Sequence, residues 1–304
     1  MRVLVTDGMD AGALAKLRED GFEMVEQFYE SDELGKALRD FDAVVVRSAT
    51  KVRAPIIDEA KGSRLKLVIR GGVGVDNIDV AYAEENGITV KNTPRASSQS
   101  VAELAVAHMF SCARSISIAG HTMREGKWEK KAYGKSGIEI GGKTLGIIGF
   151  GRIGQLLCRM AKGLGMTVIA QDIYHVPGIE EELGMQYVEL DELLAKADFI
   201  SLHTPAINGK PLISAETIAK MKDGVVFINT SRGNNVDEAA LLDALNSGKV
   251  RAAGLDVYAN EPCSNVELYS HPAVSCTPHI GGSTKEAQKR IGFEIVDIIE
   301  SFGK

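Results

Sequence analysis

The run Gly149-Phe-Gly-Arg-Ile-Gly154 constrains the fold of this chain more than any other feature, because of what flanks it. Before it stands Thr144-Leu-Gly-Ile-Ile148, a short apolar run with the character of a buried parallel strand. After it, Ile153, Leu156, Leu157, Met160 and Leu164 recur at helical spacing. Strand, glycine turn and helix in that order give each glycine a task. Gly149 permits the tight turn, Gly151 lets backbone approach a pyrophosphate, and Gly154 lets helix and strand pack closely. The N–H groups at the helix start then face the phosphates, aided by the helix dipole. The next strand, Thr167-Val-Ile-Ala-Gln-Asp172, ends in an acid 18 residues beyond Gly154. A carboxylate there accepts hydrogen bonds from ribose hydroxyls and repels a 2′-phosphate. Ile173, Tyr174 and His175 follow and bring no Arg or Lys to greet such a phosphate. The expected cofactor is therefore NAD.

A length of 304 residues suggests about two domains. In the first half, Arg2 to Asp7, Met24-Val25, Ala43 to Arg47, Leu65 to Arg70 and Ile88 to Val90 read as strands. Helical patterns around Leu14, Leu34, Ile56 and Val80 separate them. Such alternation implies a parallel sheet covered by helices. Ser100 to Arg124 breaks the rhythm. Ser100 and Glu103 fit a capping box, and Leu104, Met109, Phe110, Ala113 and Ile116 mark one long helix, a natural bridge between domains. A second alternating series starts at Lys143 and continues through Asp198 to Leu202, Val225 to Asn229, Ala252 to Asp256 and Val274 to Cys276. Each of these strands runs into polar residues, and ligands of open α/β sheets gather beyond strand carboxyl ends. Lys285 to Phe302 reads as a closing helix. The expected fold class is α/β, with two doubly wound parallel-sheet domains.

The net charge of −6 argues against a nucleic-acid or anionic-membrane partner, so an anionic substrate must be held by local cations. No apolar run approaches the ~18 residues that span a bilayer. Residues 1–20 open with a strand and carry charges, unlike a signal peptide, so a cytoplasmic protein is expected. Cys112, Cys158, Cys263 and Cys276 are scattered, which suggests neither a metal site nor a disulfide framework.

Three charged groups in polar strand-end loops stand out: Arg232, Glu261 and His279. A guanidinium at Arg232 can fork onto a carboxylate or carbonyl oxygen. Oxidation of a secondary alcohol by hydride transfer requires removal of the hydroxyl proton, a task that suits the imidazole of His279. A carboxylate at Glu261 would orient that ring and steady its imidazolium. In the first half, Arg47 and Arg70 terminate strands, and Gly72-Val-Gly74 follows as a glycine-rich turn able to nest an anion. Each of these residues taken alone is as readily a solvated or structural charge.

Together the motifs carry more weight. The glycine run, Asn229-Thr-Ser-Arg-Gly-Asn-Asn-Val-Asp237, Gly254-Leu-Asp-Val-Tyr-Ala-Asn-Glu-Pro262 and Thr277-Pro-His-Ile-Gly-Gly-Ser-Thr284 occur in order. They resemble the D-isomer-specific 2-hydroxyacid dehydrogenases over nearly the whole chain. Val46 to Val52, Arg70 to Asn77 and Gly126-Lys-Trp-Glu129 are similar to that family's phosphoglycerate-oxidising branch. The resemblance implies a Rossmann NAD domain, residues 99–282, inserted into a flavodoxin-like substrate domain, residues 1–98 and 283–304, with catalysis in the cleft between them. It implies that Arg232 binds substrate, His279 is the acid/base and Glu261 supports it. Val73, Gly149, Gly151, Arg152, Ile153, Gly154, Asp172, His203, Thr204, Pro205, Thr230, Ser231, Asp256 and Gly282 match cofactor positions, and no metal is implied. Arg47, Arg70, Gly72, Val73 and Gly74 would bind the substrate, a small anionic hydroxy acid.

The conversion expected is 3-phosphoglycerate to 3-phosphohydroxypyruvate, in serine biosynthesis, by a homodimer joined through the helix from Ser100. Rivals are a glyoxylate/hydroxypyruvate reductase, a D-lactate dehydrogenase and, from another class, an NAD-sensing corepressor-like binding protein. Two departures stand out. Relatives often place Arg just after Lys-Trp-Glu, to reach a neighbouring subunit's active site, where this chain has Lys130 and Lys131. No appended regulatory domain is expected after Lys304.

Overall fold

The computed structural model describes residues 1–134, 136–207 and 209–303. Its contacts divide into two compact units, Met1–Ser98 with Gly282–Lys304, and Gln99–Gly281. Gly282, expected in the inserted domain, thus falls in the discontinuous unit.

In the discontinuous unit, β1 (Arg2–Val5), β2 (Glu23–Glu26), β3 (Ala43–Val46), β4 (Leu67–Arg70) and β5 (Thr89–Asn92) form a parallel sheet in the order β2-β1-β3-β4-β5. Successive side chains alternate between its faces. Val3, Val5, Ala43, Val45, Leu67 and Ile69 enter one buried cluster, while Leu4, Val44, Val46 and Val68 enter another. A strand covered on both faces reads as a continuous apolar run, which is why Ala43 to Val46 shows no polar alternation. Helix Lys285–Phe302, capped by the Thr284 side chain, closes the first face. Its Ile291, Ile295, Val296 and Ile299 pack among Ala13, Leu14 and Leu17. At Gly292 a Cβ would stand 2.8 Å from the Cβ atoms of Ala13 and Asp10, so glycine sets how closely these two helices approach.

In the other unit, β6 (Thr144–Ile148), β7 (Thr167–Gln171), β8 (Gln186–Tyr187), β9 (Phe199–Leu202), β10 (Val225–Asn229), β11 (Val250–Leu255) and β12 (Val274–Cys276) form a parallel sheet in the order β12-β11-β10-β9-β6-β7-β8. The chain winds outward from β6 in one direction to β8, then returns and winds outward through β9. The strand order therefore reverses between β6 and β9, where such folds bind ligands. Leu145, Ile147 and Phe199 face one core, and Ile148, Ile200 and Leu202 the opposite one. The two-residue β8 carries too little apolar pattern to be seen in the sequence.

The expected single helix from Ser100 is two. One runs Ser98–Arg114 and the next Ile116–Arg124, and they meet at 68° around Ser115, whose φ of 54° is left-handed. The expected capping box is absent as well. Ser100 lies inside the helix and donates its hydroxyl to the Gly281 carbonyl at 2.8 Å, while Glu103 accepts from the Gln99 amide. Among the described residues no single helix is long and apolar enough to cross a membrane.

Candidate active site

Gly149 has φ +90°, and a Cβ there would stand 2.7 Å from the His203 carbonyl carbon, so the turn between β6 and its helix admits no side chain. At Gly154 a Cβ would meet the Gly149 oxygen at 2.6 Å, which is how closely the first helical turn presses on the strand end. Gly151 differs: a Cβ there would point into open space. It precedes helix Arg152–Gly163 and contributes no side-chain cap, so the opening N–H groups of a 12-residue helix are left to other acceptors. Arg152 is exposed and Ile153 half-buried at this helix start. Asp172, just past β7, accepts from the Phe150 N–H at 2.5 Å and from the Tyr174 N–H at 3.0 Å, which brings the strand-end acid to the glycine turn.

On the far side of the switch point, His203-Thr204-Pro205 follows β9. Asn235, fully buried, clamps this loop: its amide donates to Thr204 Oγ1 and the Pro205 carbonyl, and its Oδ1 accepts from the Ile207 N–H. His203 Nε2 lies 2.8 Å from Ser201 Oγ, and burial pushes the ring down to about 4, so it is neutral. Its Nδ1 and the hydroxyl of Thr230 are buried without a hydrogen-bond partner among the described residues. Buried polar atoms are nearly always paired, so this pair at the strand tips points to a polar ligand.

The three charged groups come together in the same unit. Past β10, Asn229 Oδ1 accepts from the N–H and hydroxyl of Ser231, and its amide donates to the Arg232 carbonyl, a knot that fixes the chain at Arg232. At Gly233 a Cβ would stand 1.9 Å from the Tyr258 carbonyl carbon, so glycine lets the Arg232 loop lie against the segment leading to Glu261. The Glu261 carboxylate accepts from the Tyr258 N–H at 3.2 Å and meets His279 Nδ1 at 2.6 Å. Burial raises the Glu261 carboxyl, but the hydrogen bond and charge of His279, the Tyr258 N–H and the Arg232 charge outweigh it and hold it below the usual carboxylate range. Glu261 is thus an acceptor at neutral pH, His279 Nδ1 is the protonated donor to it, and Nε2 is left as the second ring position. His279 adopts φ +53°, a conformation uncommon outside glycine. Asp256, 1% exposed, holds it there: its carbonyl accepts from the His279 N–H, Oδ1 from the Ile280 N–H and Oδ2 from the Gly281 N–H, each at 2.8 Å. Sequence reasoning assigned Asn229, Gly233 and Asn235 no supporting role, although all three stand in the motif from Asn229 to Asp237.

The residues expected to bind anions lie in the discontinuous unit. Val46 sits opposite Arg70 in the β3–β4 register, so Arg47 and Arg70 occupy neighbouring strand tips. The Arg47 N–H donates to Asp7 at 2.6 Å. Arg70 donates through Nη1 to the Gly71 carbonyl at 3.3 Å, and its guanidinium lies in the space that a Gly72 side chain would fill. Val73 is exposed, its carbonyl takes the Asn92 amide at 2.6 Å, and Gly74 is half-buried. Gly282 gives its carbonyl to the Gln288 amide. No cluster able to hold a metal ion occurs among the described residues.

Residues 106–281 match the family described as D-isomer specific 2-hydroxyacid dehydrogenase, NAD binding domain. The chain is 49% identical over 303 residues to a hydroxypyruvate reductase of Thermotoga maritima, covering 98% of this chain and 97% of that one. It is 43% identical to a D-3-phosphoglycerate dehydrogenase of Methanocaldococcus jannaschii, covering 99% of this chain and 57% of that longer protein. A solved glyoxylate reductase from Paecilomyes thermophila superimposes with a TM-score of 0.88 at 33% identity, covering 99% of this chain and 94% of that one. The seven-stranded unit is accordingly an NAD-binding domain. The residues present fit that group, with open space beyond Gly151, free helix N–H groups, and the unpaired His203 and Thr230 atoms at adjacent strand tips.

Proposed function

The chain belongs to the D-isomer specific 2-hydroxyacid dehydrogenase family, and from that premise we propose that it interconverts small D-2-hydroxy acids and 2-oxo acids, with 3-phosphoglycerate and 3-phosphohydroxypyruvate as the favoured pair. The observation that carries the chemistry is the 2.6 Å contact between His279 Nδ1 and Glu261. Bound NAD would accept hydride in oxidation and, as NADH, return it in reduction. In oxidation His279 would take the substrate hydroxyl proton at Nε2, because Nδ1 is committed to Glu261. Glu261 fixes the tautomer and steadies the imidazolium that results. Arg232 would bind the substrate carboxylate or carbonyl, where a guanidinium fork has two oxygens to meet. Asp256 and the Thr230 carbonyl would hold the nicotinamide carboxamide, and Asp172 the adenosine ribose, which favours NAD over NADP. The 1–98 and 282–304 unit would recognise the substrate's anionic groups through Gly72, Val73, Gly74, Arg47 and Arg70. Exposed Ile116, Met123 and Trp128 support a homodimer formed through the helices that follow Ser98.

A second reading, reduction of unphosphorylated hydroxypyruvate, is favoured by the relative that matches along its whole length. The Arg70 bond to its own loop favours it too. Initial rates with NADH and 3-phosphohydroxypyruvate, hydroxypyruvate, glyoxylate or pyruvate separate the two. The phosphate reading expects Arg47→Ala and Arg70→Ala each to raise KM for the phosphorylated substrate by about tenfold or more, with far less change for hydroxypyruvate. Equal losses on both substrates, or no preference for the phosphorylated one in the parent protein, leave the second reading. Absence of turnover with every acid would overturn both in favour of an NAD-responsive binding protein.

A further inference from the structure

His108 stands on helix Ser98–Arg114, 2% exposed, yet both ring nitrogens are bonded. Nδ1 lies 3.0 Å from Ser275 Oγ and Nε2 3.1 Å from Thr277 Oγ1. Thr277 Oγ1 in turn lies 2.6 Å from Asp256 Oδ1. The direction of every proton follows from the carboxylate at the end. Both Asp256 carboxylate oxygens already accept backbone N–H bonds, from Ile280 and Gly281, so Thr277 donates its single hydroxyl proton there. Thr277 Oγ1 can then only accept from His108, which fixes the Nε2–H tautomer. Nδ1 is left as acceptor for the Ser275 hydroxyl. The result is one directed chain, Ser275 to His108 to Thr277 to Asp256, and chained hydrogen bonds of this kind polarise one another. Burial holds the His108 ring neutral against the pull of the Asp256 charge, as the tautomer requires. A Cβ at Gly254 would stand 2.5 Å from His108 Cβ, so glycine in this strand is what lets the His108 side chain lie against it.

The geometry points to His108 as a positioning residue for His279. The ring donates to Thr277, Thr277 pins Asp256 Oδ1, and Asp256 through its carbonyl and both carboxylate oxygens holds the His279–Gly281 backbone in its left-handed turn. Three side chains thus connect the interior of a helix to the group proposed to move the proton. The inference rests on the acid/base reading of His279.

Amide substitutions separate the two ring nitrogens, because the Gln amide reaches the place of Nε2 and the Asn amide that of Nδ1. With hydroxypyruvate and NADH, His108→Gln should keep kcat within about twofold, whereas His108→Asn should lose about tenfold, the effect of one lost hydrogen bond to a charged network. KM for hydroxypyruvate should stay level in both. Thr277→Val should lose at least as much as His108→Asn, and adding His108→Asn to it should cost nothing more, because the two act in series. The reverse order of Gln and Asn, equal kcat in both, or additive losses with Thr277→Val would overturn the assignment. His279→Asn assayed in parallel keeps the two ideas apart. If it retains full turnover, the acid/base reading fails. If it loses turnover while His108→Asn does not, the positioning role alone fails.

Discussion

The two sheets share an architecture and differ at the point where each reverses its strand order. Around the β6–β9 reversal the strand ends are left open: Gly151 faces free space, and His203 Nδ1 past β9 and Thr230 Oγ1 past the neighbouring β10 have no protein partner among the described residues. Between β1 and β3 the corresponding place is filled by the protein itself. Asp7 accepts from the N–H groups of Arg47 and Thr50 and from the Thr50 hydroxyl, and the Asn77 amide bonds the Arg47 and Thr50 carbonyls. Winding a parallel sheet in both directions creates a concavity, but the first residues past the strands decide whether it receives a ligand or a side chain. In the five-stranded unit the candidate anion-binding turn is displaced by one strand, to the residues that follow β4.

The strongest way to break this contrast is to remove chemistry from the open side. His279→Asn should lower kcat by ~100-fold or more, with NADH affinity little changed. A loss confined to NADH affinity would make His279 a cofactor ligand and not the proton carrier. Next, Gly151→Ala should weaken NADH binding by about tenfold or more, because its methyl enters the space left beyond the turn. Its Tm in the absence of cofactor should hold, since no atom lies within 4 Å of the added carbon. Asp7→Ala should do the opposite: a stability loss of about 1–3 kcal/mol from stranded N–H groups, with NADH affinity intact. If Asp7→Ala weakened NADH binding as much as Gly151→Ala does, the contrast between the two places would collapse.

Two smaller effects concern protons. In Glu261→Gln the imidazolium of His279 loses its anionic partner, so the acidic limb of the kcat/KM profile for oxidation should move to lower pH. An unmoved limb removes Glu261 from its role. Burial holds His203 down to about 4, below the ordinary histidine range near 6.5. The unfolded chain therefore binds a proton that the folded one refuses. Stability should fall as pH drops through 6.5 and stop falling from this source below about 4. His203→Asn should flatten that part of the pH–stability curve, and an unchanged slope would place the ring in water.

Much of this fold is legible in the sequence because parallel strands buried on both faces leave continuous apolar runs, and helices leave theirs at a different spacing. The glycine turn is legible because its three positions impose separate steric demands, each visible as a missing side chain. The break at Ser115 was not, since helical apolar spacing continues through it to Ile116 and no Pro or Gly marks it. The Ser100 capping box failed for a related reason: a serine followed by Glu103 three residues later is also what an ordinary helix interior can contain, and here the hydroxyl serves the distant Gly281 carbonyl. Glu261 and His279 could be picked out as candidates from their loops, but their contact depends on the close backbone approach at Gly233, where a Cβ would clash with Tyr258, and on the Asp256 bonds to residues 279–281, long-range facts that no local pattern encodes. His108 escaped notice because a histidine at a core position of an apolar helix looks like any other buried residue until Ser275 and Thr277 are seen beside it.

The helix Lys285–Phe302 seals one face of the five-stranded sheet, against Val3, Leu17, Leu67 and Ile69. Those residues leave the ribosome well before their cover does. At ~5–20 residues per second, the roughly 180 residues of the other unit, Gln99–Gly281, are made in between, so the face waits about 10–40 s. During synthesis the inserted unit can complete its own sheet first, while the discontinuous unit, with the earlier sequence, must finish second. A stop codon placed before Lys285 should therefore yield an aggregating product whose seven-stranded half is nonetheless folded.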